Sequence, residues 1–171
     1  MNFSELAKSR YSVRSFSEQP VEDDKLNIIL EAGQVAPTAC NNQPQKIYVL
    51  KSDEAIEKLK AVNKFVFGAK TVMLIAADRN QEWKNPLTDK YRTGEIDCSI
   101  VCTHMMMQAW ELGIGSCWVG YYDPDLVAKQ FNLPENEQII AILPLGYPSD
   151  ESKPARGHFS VKPLKDTVKY L

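Results

Sequence analysis

Histidine is scarce in this 171-residue chain, which has only His104 and His158. Histidine-based acid–base or Ser-His-Asp chemistry therefore has little to draw on. No Walker sequence and no Gly-x-Gly-x-x-Gly fingerprint occurs, so neither familiar glycine-rich phosphate loop is encoded. A basic excess is missing too: 20 Lys and Arg against 22 Asp and Glu leave a formal charge of -2. Nucleic acid, whose binding leans on phosphate neutralisation, is not an expected partner. No apolar run reaches the roughly 18 residues that span a bilayer. The opening "MNFSELAKSR" lacks the apolar stretch of a signal peptide. Both absences point away from a membrane and toward a cytoplasmic protein. Four cysteines are too few for a disulfide scaffold, and reduced thiols are expected.

What is present fits one domain over residues 1–171, because 44% hydrophobic residues suffice for a real core. Apolar periodicity predicts helices over Phe3–Ser9, in "VEDDKLNIILEAGQVA", in "DEAIEKLKAV", from Asp97 to Leu112, and in "PDLVAKQFNL". Strands are expected in "KIYVL", "TVMLIAAD" and "QIIAILPLGYP", the last two as buried continuous runs. Gly113 reads as a helix stop. "QEWKNPLTDKYRTGE" is irregular. Strands and helices alternate without a tight-hairpin signal. The pattern predicts an α+β or α/β domain with a small mixed sheet.

Four stretches carry polar groups in patterns suited to a ligand. "SRYSVRSF" sets Arg10 and Arg14 four positions apart around Tyr11 and Ser12. Two guanidinium groups match phosphate geometry, although two surface arginines at a helix end account for the same spacing. "APTACNNQPQ" offers Thr38, Asn41, Asn42 and Gln43, hydroxyls and amides that suit an uncharged heterocycle or an ordinary turn. "GIGSCWVGYYDP" places Gly120 at the end of a short apolar strand, where a flat ligand or a second backbone approaches closely. Asp123 is set to cap a following helix. "LGYPSDESKPARG" is a polar loop ending near Arg156.

Together these stretches resemble the nitroreductase family of FMN-dependent oxidoreductases. Its Arg-x-Ser-x-Arg-x-Phe opening is met by Arg10, Ser12, Arg14 and Phe16. Its Pro-Ser-x-x-Asn-x-Gln-Pro-Trp pattern is met by Pro37, Thr38, Asn41, Gln43 and Pro44, with Gln45 in place of tryptophan. Its Gly-Leu-Gly-Thr-Cys-Trp-Ile-Gly pattern is met from Gly113 to Gly120. The resemblance implies an α+β fold with a mixed, mostly antiparallel sheet flanked by helices, assembled as an intertwined homodimer with FMN at the subunit interface. By the same resemblance, Arg10, Tyr11, Ser12, Arg14 and Arg156 would hold the phosphate and ribityl chain. Pro37, Thr38, Ala39, Asn41 and Gln43 would reach the flavin from the partner subunit. The Gly120 amide would face flavin N5, with Val119 beside the ring. NADH or NADPH would be the reductant, and an electron-poor small molecule such as a nitroaromatic or quinone the acceptor, in a ping-pong cycle. A non-catalytic FMN carrier or sensor, or another flavin reaction such as reductive dehalogenation, is the alternative.

Cys98, Cys102 and His104 invite a metal reading. Cys98 and Cys102 share a helix face, but His104 lies about 200° from Cys102 around the helix, at roughly 100° per residue. One regular helix cannot bring all three to one ion, so no metal is expected. "MMMQAW" is expected at the dimer interface under the resemblance. Tyr121 and Tyr122 are candidates to line the pocket, Cys40 is the more plausible reactive thiol, and His158 is assigned no role.

Overall fold

Strand β2, Thr71–Asp78, is buried along its whole length, as a run of apolar residues covered on both faces must be. The computed structural model describes residues 2–171. The two-residue period of the strand sends Met73, Ile75 and Ala77 into one apolar layer and Val72, Leu74 and Ala76 into another. On either side of β2 lie β1, Gln45–Leu50, and β4, Glu137–Gly146. A two-residue strand β3, Gly115–Ser116, adds to the far edge of β4, giving the order β1-β2-β4-β3. All three ladders are antiparallel. Among the described residues the one parallel pairing is the isolated bridge Ser12–Ser116. The sheet is thus that of an α+β domain, without the parallel crossovers of an α/β one. Opposite Ile75 and Ala76 the register shifts past Ile140, a bulge that returns Ile139 to the second layer.

The first layer is built by α2, Asp23–Gln34, and α4, Gly94–Glu111. Cys98, Val101, Cys102, Met105, Met106 and Ala109 recur at helical spacing and pack on the sheet. Three residues more than the sequence pattern predicted are helical at the start of α4. That turn carries Gly94 and Glu95, which give no apolar signal. Met105 and Met106 belong to the protein's own core, so of the "MMMQAW" run only Met107 among the methionines lies on the open face of the helix. That face also carries Ile96 and Ile100. The second layer holds α3, Asp53–Lys60, and α5, Pro124–Phe131, with Val13 and Phe16 from the N-terminal arm.

The ends of these elements follow their capping chemistry. Helix α1, Phe3–Ser9, opens on a reciprocal capping box between Asn2 and Glu5. Asp123 accepts from the Asp125 and Leu126 amides and starts α5. Gly113, at φ +77°, stops α4 as its position predicted. The chain closes with a short helix α6, Leu164–Thr167, in an exposed tail. Among the described residues no helix is long and apolar enough to cross a membrane.

Candidate functional site

The N-terminal arm, Arg10–Phe16, is threaded between two segments more than 100 residues away in sequence. Val13 N donates to Ser116 O at 3.0 Å, and Ser12 bridges Ser116 in parallel. Gly115 permits this approach: a Cβ there would lie 2.5 Å from Val13 Cγ2. On its other side the arm meets the C-terminal loop. Ser15 Oγ lies 2.7 Å from Ser149 Oγ, Tyr11 Oη lies 3.1 Å from Ser152 Oγ, and Ser17 N donates to Tyr147 O. The Tyr11 ring stands edge-on to Trp110 of α4 at 5.2 Å and to His158 at 6.4 Å. His158 sits in the 3₁₀ turn Arg156–Phe159, so Arg156 is delivered to the same neighbourhood by chain connection. Tyr11, expected at the ligand, is already engaged on ring and hydroxyl.

The chain has five arginines, and they divide cleanly. Arg79 and Arg92 form ion pairs with Glu82, whose side chain is fully buried, and Arg79 also reaches Glu95. Among the described residues Arg10, Arg14 and Arg156 have no carboxylate within 4 Å. Arg14 Nη1 makes only a long 3.4 Å contact to Ser12 O. Arg10 Nη1 is buried without a hydrogen-bond partner among the described residues. A buried guanidinium nitrogen left unpaired is costly, and an anion is the group that satisfies it. The same two arginines act on Cys117. Burial pushes its thiol up, while Arg14, the Ser12 hydroxyl and Arg10 pull it back. The first and third sequence motifs therefore meet in space.

Beyond this cradle the third motif runs out of the sheet. Val119 is buried, and it exchanges both backbone hydrogen bonds with Ile142, so its side chain belongs to the core. Gly120 is the next residue, exposed, with nothing within 4 Å of a Cβ built on it. Its open side borders a cleft of about 550 Å³ between the turn after α3 and the start of α5. The two tyrosines that follow part ways. Tyr122 is half-buried, donates to Ile139 O, and is pushed up to about 12 by burial and then by Glu95. Tyr121 is 79% exposed, edge-on to Phe65 at 5.5 Å.

The second motif is placed elsewhere. Thr38–Gln43 forms a tight excursion around a 3₁₀ turn, Ala39–Asn41, between α2 and β1. Pro37, Asn41 and Gln43 are exposed, and Thr38 and Ala39 half-buried. No hydrogen bond among the described residues joins this loop to Arg10–Arg14; the one such bond from Thr38–Gln43 to the rest of the protein is to Asp97 at the start of α4. Asp97 is a residue that pattern reading passes over, since a single acid in the first turn of a helix is ordinary. Gln45, at the strand start beyond the loop, has its Oε1 buried and unpartnered.

Cys98 and Cys102 point into the core, where burial pushes the Cys98 thiol up to about 12 and Cys102 higher still. His104 is exposed on the other side of α4 and contacts Ile100 O. Cys40 is exposed in the loop at φ 51°. The segment from Arg79 to Thr93 is fastened down by the buried Glu82 and its two arginines.

Comparison with known proteins agrees with this convergence of motifs. A crystal structure of a nitroreductase family protein from Clostridium difficile 630 superposes with a TM-score of 0.92 at 40% identity, covering 99% of this chain and 98% of that one. A protein of Archaeoglobus fulgidus, provisionally named an NADH dehydrogenase/NAD(P)H nitroreductase, is 31% identical over 84% of this chain and 83% of its own length. A Bacillus subtilis protein named FMN reductase [NAD(P)H] is 25% identical over 82% of this chain and 64% of its own. The nitroreductase family model matches residues 7–64 and 59–147, which takes in the arginine arm, the Thr38 loop and Gly120 alike, and the chain belongs to the nitroreductase family.

Proposed function

We propose that residues 1–171 form a single flavin-binding domain of a homodimeric, FMN-dependent NAD(P)H oxidoreductase. The observation that carries this reading is the buried, unpartnered Arg10 Nη1, set in an arm that meets both the third motif and the C-terminal loop. Two similar proteins carry names that specify NAD(P)H, and one of them specifies FMN. The residues present fit that cofactor. Arg10, Arg14 and Arg156 supply fixed positive charge to a terminal phosphate, and Ser12 supplies a neutral hydroxyl. At Gly120 the absent side chain leaves room for a flat ring against the backbone, and its N–H has no other partner among the described residues.

When bound, FMN would supply the redox chemistry, hydride transfer from NADH or NADPH to an electron-poor acceptor such as a nitroaromatic or quinone. The chain's part is to bind, orient and exclude water. Thr38, Ala39 and Asn41 lie apart from the arginine cradle within one chain, as loop residues that serve a partner's site must. The open face of α4, with Ile96 43% exposed, and the apolar tail supply contact surface for a second copy. In a ping-pong cycle reductant and acceptor would use the same flavin face in turn.

The test is spectroscopic. Purified protein, or apoprotein given FMN, shows bound-flavin absorbance that bleaches with NADH or NADPH without oxygen and returns on adding a quinone or nitroaromatic. Colourless protein that takes up no FMN refutes the reading. Bound flavin that stays oxidised with both nucleotides identifies a carrier or sensor instead.

A further inference from the structure

We infer that Asp97 is a positioning residue for the flavin, holding the Thr38–Gln43 loop in the shape that meets the cofactor. This rests on the reading above that the loop faces FMN. The loop is strained. Cys40 and Gln43 sit at φ 51° and 49°, in the left-handed region that residues other than glycine and asparagine avoid, and Asn41 between them is at 55°. Such conformations persist only where surrounding structure over-determines them. Packing does not do so here, because Cys40, Asn41, Asn42 and Gln43 are all exposed. Three hydrogen bonds within the loop set its local turn: Asn41 N to Thr38 O, Asn42 N to Ala39 O, and Gln43 N to Thr38 Oγ1. Among the described residues one hydrogen bond alone ties Thr38–Gln43 to the rest of the protein, from Ala39 N to Asp97 Oδ1 at 3.0 Å.

The anchor is an unusual expenditure. Asp97 is only 2% exposed, with no cationic group within 4 Å among the described residues. A buried carboxylate without an ion pair is unfavourable unless hydrogen bonds and a helix N-terminus carry its charge. Thr93 Oγ1 donates to Oδ2 at 2.8 Å, so each carboxylate oxygen holds one donor: one from the loop, one from the residue that opens α4. The loop is thereby referenced to the helix whose outer face meets the proposed partner. Docking of that helix then places Thr38, Ala39 and Asn41 at the partner's flavin without a separate ordering step.

Titration of apoprotein with FMN, followed by flavin fluorescence, tests the role. Asp97→Ala raises the Kd about tenfold, the worth of one charge-assisted hydrogen bond. Asp97→Asn recovers most of the affinity, because its amide oxygen still accepts from Ala39 N. Ala39→Pro deletes the same bond from the loop side without touching the core. Thr38 at φ -130° and ψ 157° already has the backbone a following proline requires. It weakens FMN similarly, and the double variant is no worse than the poorer single one. A folded Asp97→Ala that binds FMN as wild type does, while Asn41→Ala weakens it, overturns the inference and leaves the flavin reading intact. Should Asn41→Ala also bind normally, the loop's assignment to the flavin fails and this inference with it. If Asp97→Ala does not fold, Ala39→Pro decides alone, and wild-type affinity there is the overturning result.

Discussion

At the scale of single residues, the five arginines separate charge that is ion-paired from charge that is not. Arg79 and Arg92 neutralise Glu82, which is wholly buried, whereas Arg10 carries a buried nitrogen with nothing to hold. Substitution should therefore have two different signatures. Arg10→Ala and Arg14→Ala are each expected to weaken FMN binding by about 1.5–3 kcal/mol, the range for hydrogen bonds to a charged group, with little loss of apoprotein stability. Calorimetric titration of the two variants beside Arg92→Ala checks this. Unchanged affinity in both would mean that the arm does not hold the phosphate. Glu82→Ala should do the reverse. It removes the buried acid on which both guanidinium groups converge, leaves Arg79 only its ion pair with Glu95, and is expected to cost about 3 kcal/mol in urea unfolding of the apoprotein. Arg92→Ala should cost less than about 1 kcal/mol, because Arg92 is 54% exposed and solvent screens its share. An Arg92→Ala as damaging as Glu82→Ala would contradict the view that the segment hangs on the acid.

At the scale of elements, the sequence was legible wherever one face alternates with another. The helices of Leu26, Ile56 and Val101 announce themselves because burial on one side enforces a 3.6-residue period, and Gly113 stops α4 for a conformational reason visible in its identity. The uninterrupted run of β2 said "central strand", and the sheet obeys. Less legible were features set by contacts between distant segments. Strand β3 is two residues long, and only its pairing with β4 and the Ser12 bridge defines it. Asp97 left no trace in the pattern, because its meaning comes from Ala39, 58 positions earlier. Candidate residues in the arm and at Gly120 could be singled out because their motifs are local. How Thr38 and Asn41 would reach a flavin could not be read from one chain's periodicity, since the proposed geometry involves two. Strand β1 carries a titration prediction of its own. Burial, and then the Glu137 carboxylate to which it donates, push Tyr48 from an ordinary 10.0 up to about 12. A group raised on folding stabilises fully below its unfolded value and loses that contribution as pH climbs through the folded one. Stability should thus fall between pH 10 and about 12, with Tyr122 adding to the slope. Tyr48→Phe should flatten that fall in pH-dependent urea unfolding, and an unaltered slope would show that the phenol is not held.

At the scale of the whole molecule, apolar surface is left over in one place above all. Phe159, Val161, Leu164 and Tyr170 are 74%, 84%, 78% and 96% exposed, and they follow one another along the C-terminal tail. Phe3 and Val35 are similarly open, at 73% and 78%, beside a cavity of about 460 Å³ shared with Met107 of α4. Exposed apolar side chains in such number commonly mark an interaction surface. A second copy related by a two-fold axis would cover both surfaces at once, since a tail reaching across from each subunit meets the same face on the other. On that reading the tail stabilises the dimer and, through the dimer, the flavin site that borrows Thr38 and Asn41 from the partner. Removing residues 159–171 should then leave a chain whose own core is intact, because none of those residues is buried in it. The truncated protein is expected to melt cooperatively, to sediment as a monomer at concentrations where the full chain is a dimer, and to retain little flavin. Arg10→Ala, by contrast, is expected to lose flavin while remaining dimeric, which separates the phosphate contact from assembly. A truncated chain that stays dimeric and keeps the full chain's affinity for FMN would show that the tail is not part of the subunit contact, and the open face of α4 would have to carry it alone.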